Sequence, residues 1–145
     1  MVALYLHQYI WVRLDGTAYA LKQSGVKVCT MIGAGNQAPS LHQLGLRTLQ
    51  YLDIPYVKKS KNTFFQLAHV LNQGQSVFIH SDLKNEGLEV SFLGFQTTIP
   101  KTAASLSILA KKPLYFIYLL PVKNNNEYVV NIELVNGLFE SESNK

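Results

Sequence analysis

The chain has 145 residues, of which 48% are hydrophobic and 15% charged, and its formal net charge is +4. A chain of this size fits one domain with a single core, and this composition argues against intrinsic disorder. The weakly basic balance suits anionic headgroups, acidic carrier proteins or nucleic acid, and it does not choose among them. A solvated basic surface would give the same charge.

Cysteine usage and hydropathy narrow the class of protein further. The single cysteine, Cys29, excludes an intrachain disulfide and a cysteine-rich zinc site. Its apolar neighbours predict a buried thiol. The first residues lack the basic segment of a secretory signal peptide. No apolar run reaches the ~18–20 residues that a membrane span requires. The sequence therefore predicts a cytoplasmic protein.

The first half of the chain alternates strand-like apolar runs with helical patterns. Residues 3–6 form the first predicted strand, which ends at His7. Apolar residues then recur every three or four positions from Trp11 to Leu21, and this spacing predicts a helix that ends at Gly25. The order continues with a strand at 26–32, a helix at 39–52 and a strand at 54–57.

The second half continues this alternation. An apolar stripe predicts a helix at 62–73, and a continuous apolar run predicts a buried strand at 76–79. A short alternating ribbon at Val90 and Phe92 precedes a helix at 103–110. The last elements are two strands, at 114–120 and 128–135, around an Asn-rich turn that favours a hairpin.

This order of elements predicts an α/β fold. We expect a three-layer α/β/α domain with a mainly parallel central sheet and a C-terminal β-hairpin. The domain is expected to span residues 1–139, and the polar residues 140–145 are expected to form a tail.

Polar residues follow several of the predicted strands. In open α/β sheets, ligands bind beyond the carboxyl ends of the strands. This rule gathers four groups of residues at one edge of the sheet. They are His7, Gly33 to Asn36, Lys58 to Ser60, and His80 with Asp82. Because loops are polar in any α/β protein, the rule gives a location and no chemistry.

The segment from Gly74 to Pro113 carries a resemblance to a known family. It reads GQSVFIHSD, then NEGLEVSFLGFQTTI, then PKTAASLSILAKKP. A strand followed by Asp, a V-x-F-x-G segment, an Ala-rich helix that opens on Thr and a strand after Pro occur in this order in the lipid A biosynthesis acyltransferases. The chain resembles the lauroyl- and myristoyl-transferring members of that family, within the lysophospholipid acyltransferase-like superfamily.

The resemblance implies transfer of a fatty acyl group from an acyl thioester, on acyl carrier protein or coenzyme A, to a hydroxyl of a lipid or glycolipid. In that family a His-x4-Asp/Glu motif follows the first strand, with the His as general base and the acid orienting it. His7 stands at the position of that His, but Val12 stands at the position of the acid. The next carboxylate is Asp15, about 12 Å further along a continuous helix.

Other candidate residues enter through the same resemblance. Asp82 corresponds to the Asp that follows the fourth strand, and His80 shares one side of an extended strand with it. Arg13, Lys58 and Lys59 are candidates to bind phosphate or carboxylate groups of the substrates. Each has a structural alternative, because Asp82 could cap a turn, His80 could pack in the core, and the lysines could be solvated.

The sequence leads us to expect no cofactor and no metal. Gly33-x-Gly35 lacks the third glycine and the acid of a dinucleotide fingerprint, and the four histidines lack metal-ligand spacing. The aromatic residues lie on predicted strands and helix faces, so we expect no nucleic-acid partner.

Full-length members of the resembled family carry an upstream membrane-anchoring helix. The resemblance therefore implies a truncated or split member, peripheral on the cytoplasmic face of the inner membrane. Besides the acyl donor and the acceptor, a membrane surface or an upstream partner chain remain open as partners. The mismatch at Val12 also leaves open a catalytically inactive relative that acts as a binding or partner subunit.

Overall fold

The computed structural model describes residues 2–5, 12–33, 39–80, 87–122 and 127–136. The helices of this part are α1 (Val12–Gln23), α2 (Pro39–Tyr51), α3 (Thr63–Asn72) and α4 (Thr102–Ala110). The strands are β1 (Val2–Tyr5), β2 (Val28–Ile32), β3 (Tyr56–Lys58), β4 (Ser76–His80), β5 (Leu88–Phe92), β6 (Phe95–Ile99), β7 (Leu114–Pro121) and β8 (Tyr128–Leu134).

Six of these strands form one sheet in the order β3-β2-β4-β1-β7-β8. All its neighbouring strands are parallel except β7 and β8, which form an antiparallel hairpin. The predicted α/β class, mainly parallel sheet and C-terminal hairpin are confirmed, with element ends that shift by one or two residues. The predicted tail lies outside the described residues.

The central strand β4 explains why the core is divided between the two faces of the sheet. Val77 and Ile79 pack in a cluster with leucines of α3 and α4. Phe78, which points to the opposite side, packs in a second cluster with residues of α1 and α2. A strand that is covered on both faces needs apolar side chains at successive positions, which is why this run does not alternate.

A lysine joins α1 to the end of α2. The Nζ of Lys22 donates hydrogen bonds to the carbonyl oxygens of Leu52, at 3.0 Å, and Asp53, at 2.6 Å. It also donates to the Asp53 carboxylate at 2.9 Å. This hydrogen bond and the charge of Lys22 hold the pKa of Asp53 below its ordinary value. The lysine therefore ties α1 to the two residues that follow α2.

The strands β5 and β6 form a separate two-stranded sheet. They join through Leu93 and Gly94, whose φ angles of 51° and 81° are both positive, as in a type I′ turn. At the base, a Cβ on Gly87 would lie 1.9 Å from the carbonyl oxygen of Ile99, so only glycine fits there. The sequence predicted the ribbon around Val90 but not its partner β6.

Two further observations concern predictions made from hydropathy. Cys29 is 3% exposed, which confirms the predicted burial of its side chain, and this burial raises the pKa of the thiol. Among the described residues, no helix has both the length and the apolar character needed to cross a membrane.

Candidate functional site

The carboxyl ends of the parallel strands meet at one edge of the sheet. Tyr5 at the end of β1 is paired with His80 at the end of β4. Ile32 at the end of β2 is paired with Lys58 at the end of β3, and the pairing of β2 with β4 places Ile32 level with His80. These four residues therefore form one row across the sheet. Lys58 and His80 are two strand spacings apart in it, about 10 Å between Cα atoms.

His80 closes β4 on the side of the sheet that faces α1 and α2. Its ring packs edge-to-face on Phe78, with ring centroids 5.0 Å apart and planes at 86°. Because Phe78 is 1% exposed, the imidazole rests on the core. The Nδ1 atom is buried, although the residue as a whole is only half-buried. Packing thus fixes the orientation of this ring at the edge of the sheet.

The end of β3 and the first residue after it, Lys58 and Lys59, are exposed lysines on a braced backbone. The amide of Lys59 donates to the carbonyl oxygen of Ile32 at 2.8 Å, which extends the pairing of β2 with β3 beyond Lys58. Below the lysines, the buried hydroxyl of Thr63 accepts a bond from the Ser60 amide at 2.5 Å and donates to the Ser60 carbonyl oxygen at 2.9 Å. Both lysines therefore extend from a fixed chain beside the first turn of α3.

Thr63 is the residue that sequence reasoning missed in this region. It is the first residue of α3, and its hydroxyl also lies 3.3 Å from the carbonyl oxygen of Lys58. The sequence did contain a signal for this role. Thr63 stands three positions after Ser60 and directly before the apolar stripe of the predicted helix, and polar pairs with this spacing are common where helices begin. Through the bonds of its hydroxyl, Thr63 organises the loop that carries the lysines.

An open groove lies along the outer side of β3, between this edge strand and α3. Lys58 is the residue that the groove shares with the predicted site. Phe65 is 72% exposed there. The lining includes Tyr56, Val57, Lys58, Phe65, Gln66 and Val70. The arrangement places apolar surface next to a cation at the carboxyl edge.

The predicted catalytic residues are only partly covered by the structure. His7 and Asp82 lie outside the described residues. Arg13 and Asp15 belong to the first turn of α1, which begins at Val12. A direct contact between His7 and Asp15 required non-helical residues between them, but residues 12–15 are helical. Because His7 and residues 8–11 lie outside the described residues, the pairing of His7 with Asp15 stays a prediction.

Comparison with known proteins identifies no family for this chain. No protein-family model matches the sequence. A search of curated proteins also gives no significant match.

Proposed function

We propose that the chain is an acyltransferase-like domain that transfers a fatty acyl group from an acyl thioester to a hydroxyl of a lipid or glycolipid. The observation that carries the proposal is the paired ending of β1 and β4, at Tyr5 and His80. These are the strands that precede His7 and Asp82 in the sequence. Pairs of helices on the two faces of the sheet also fit the three-layer α/β/α domain that the resemblance implies.

The pairing of these strands suggests which carboxylate assists the base. His7 and Asp82 each follow a member of the Tyr5–His80 pair by two residues. His7 and Asp82 are therefore separated from the Tyr5–His80 pair by the same number of residues. Val12 has no hydrogen-bond acceptor in its side chain, and Asp15 lies one helical turn into α1. In our proposal Asp82 takes the role of the missing acid.

The proposed reaction is a general-base acyl transfer. The imidazole of His7 takes the proton of the acceptor hydroxyl while the oxygen attacks the thioester carbonyl carbon. The carbon–sulfur bond then breaks, and the proton returns from His7 to the leaving thiolate. The products are an ester and a free thiol of coenzyme A or acyl carrier protein. Asp82 holds the imidazole in the tautomer that can accept the proton.

The basic residues near the edge supply binding rather than chemistry. Lys58 and Lys59 extend from the braced loop, and Lys58 shares its row with His80. Phosphate groups occur on coenzyme A, on the prosthetic group of acyl carrier protein and on many lipid acceptors. We propose that Lys58, Lys59 and Arg13 bind such groups, while His80 contributes to the wall of the site.

A second candidate function is favoured by the residue at position 12. If no carboxylate supports His7, the chain is an inactive relative that binds a carrier protein or completes a partner chain. Val12 opens α1 at the position where the resembled family carries its acid. This candidate predicts binding of acyl carrier protein without turnover.

Release of thiol from an acyl thioester tests the two functions against each other. Lauroyl-coenzyme A and lauroyl-acyl carrier protein are the donors, and a glycolipid with a free hydroxyl is the acceptor. We expect release with the wild-type chain and at least about tenfold less with His7→Ala. His42→Gln, which removes a histidine of α2 instead, is the control and should retain the rate. A folded chain that binds acyl carrier protein but releases no thiol would establish the second candidate.

A further inference from the structure

The β5–β6 hairpin stands outside the two core clusters. Within the part of the chain that the structure describes, its strands pair with each other and with no strand of the main sheet. Among the described residues, neither core cluster includes a residue of Leu88–Phe92 or Phe95–Ile99. The described apolar side chains of the hairpin therefore lie outside the core clusters that stabilise the domain.

The register of the hairpin separates its residues onto two unlike faces. Leu88 pairs with Ile99 and Val90 pairs with Thr97, which puts these residues on the same face as Phe95. Phe95 is 77% exposed, Leu88 55% and Ile99 47%. The other face is polar and consists of Glu89, Ser91, Gln96 and Thr98. The hairpin is thus an amphipathic ribbon whose apolar face is open.

The turn of the hairpin also carries an exposed apolar residue, Leu93. Leu93 is 82% exposed and has a φ of 51°, a conformation that a leucine rarely adopts. Asn, Asp and Gly are the residues that favour the first central position of a type I′ turn. Neither turn chemistry nor solubility explains a leucine at this position. The exposed leucine at the tip is available for contact with an apolar partner.

The charge pattern around the hairpin indicates the kind of partner. Residues 90–100 contain no charged side chain, and Lys101 follows them directly. Because β4 ends and α4 begins at the carboxyl edge of the sheet, Lys101 lies at the same edge as Lys58, Lys59 and Lys61. The acidic residues that the structure describes at this edge are Asp15, in the first turn of α1, Glu89, on the polar face of the hairpin, and Glu127, before β8 at the far side of the sheet. The open apolar face of the hairpin, at the same edge of the sheet as four lysines, complements an anionic lipid surface.

We propose that the β5–β6 hairpin binds anionic membranes. The apolar face and Leu93 enter the interfacial layer of the bilayer, and the lysines of the edge contact the lipid headgroups. This arrangement would turn the carboxyl edge of the sheet towards the lipid. It deepens the proposed function, on which it rests for the use of a lipid acceptor, but membrane binding itself is measured without any turnover.

Sedimentation with lipid vesicles tests the proposal. The full chain should sediment with phosphatidylglycerol vesicles, less with phosphatidylcholine vesicles, and less again when salt is added. Leu93→Asn keeps a residue that the turn favours while it removes the apolar tip, so the fold is retained. Combined with Phe95→Gln, it should weaken binding at least about tenfold. Tyr51→Asn is the matched control, since Tyr51 is 88% exposed but ends α2 at the opposite edge of the sheet.

A fluorescent reporter separates lipid from a protein partner. The chain has one tryptophan, so Trp11→Phe with Leu93→Trp places the only indole at the tip. We expect its emission to shift to the blue with phosphatidylglycerol vesicles. A shift with acyl carrier protein and none with vesicles would overturn the proposal in favour of a protein-binding tip.

Two other results would contradict membrane binding by the hairpin. The first is a wild-type chain that stays in the supernatant with phosphatidylglycerol vesicles, and the second is a double variant that binds them as tightly as the wild type. If either result is found but the chain still releases thiol from the acyl thioester, the proposed acyl transfer is retained and only the membrane proposal is rejected. If the chain binds vesicles but releases no thiol, the membrane proposal is retained and the proposed acyl transfer is rejected.

Discussion

The central strand β4 and the β5–β6 hairpin follow each other in the sequence, and both are rich in apolar residues. In β4, Val77, Phe78 and Ile79 are at most 1% exposed. In the hairpin, Leu88 and Phe95 are more than half exposed. Apolar residues therefore stabilise the fold in one region and remain available for contact in the other. Substitutions in the two regions should accordingly have very different effects on stability.

The largest effect is expected in the central strand. Phe78→Ala removes a ring that fills the cluster between the sheet and the helices α1 and α2. We expect the free energy of unfolding to fall by roughly 3–5 kcal/mol, because the substitution leaves a cavity between the sheet and the two helices that the surrounding side chains fill only in part. Urea unfolding followed by circular dichroism measures it. A loss below about 1 kcal/mol would show that this strand is not the centre of the core.

A smaller effect is expected at the junction between the two regions. Gly87→Ala places a methyl group against the carbonyl oxygen of Ile99, so the base of the hairpin must shift. We expect a loss of roughly 0.5–3 kcal/mol, confined to the hairpin. Amide hydrogen exchange should become faster in β5 and β6 and stay unchanged in β4. Equal acceleration in β4 would mean that the hairpin and the core unfold as one unit.

The contacts of Lys22 with Leu52 and Asp53 should stabilise the fold to an extent that depends on pH. Lys22→Met removes the part-buried hydrogen bond to the Leu52 carbonyl, for which we expect a loss of about 1 kcal/mol near neutral pH, and it also removes the exposed bonds to Asp53. Because Lys22 lowers the pKa of Asp53, the ionic part of this stabilisation exists above the ordinary carboxyl pKa and disappears as the pH falls through the lowered one. Urea unfolding at about pH 7 and about pH 2.5 should show a smaller difference between variant and wild type in acid. A difference that grows in acid would contradict this assignment.

The smallest effect is expected on the open face of the hairpin. Phe95→Ala makes the same kind of change as Phe78→Ala, but at a side chain that is 77% exposed. We expect a change in unfolding free energy within about 0.5 kcal/mol. If the two alanine variants lose similar stability, the hairpin belongs to the core and the comparison fails.

These two regions also show what the sequence can predict. The helices and β4 were predictable because their apolar residues follow a period of three to four or form a continuous run. The partner strand β6 was not, because Leu93-Gly94 is a rare choice for a hairpin turn, where Asn-Gly would be a strong signal. Alternation also tells which residues share a face but not whether that face is covered, so the exposure of Phe95 needed the structure.

The candidate site was predictable to a similar degree. The rule for strand ends placed Lys58 and His80 at one edge, since it depends only on parallel strands. The register of Tyr5 with His80 was beyond the sequence, because it results from pairing between strands that are distant along the chain. The bracing of the lysine loop by Thr63 depends likewise on which side of α3 is buried.

The central claim is that the ends of β1 and β4 build one catalytic site. A double-mutant cycle of His7→Ala and Asp82→Asn, read as kcat/KM for thiol release from lauroyl-acyl carrier protein, tests it most directly. If both residues act as a unit, each single variant should lose at least about tenfold and the double variant should lose little more than His7→Ala alone. Losses that multiply in the double variant, or an Asp82→Asn chain with the wild-type rate, would contradict the claim.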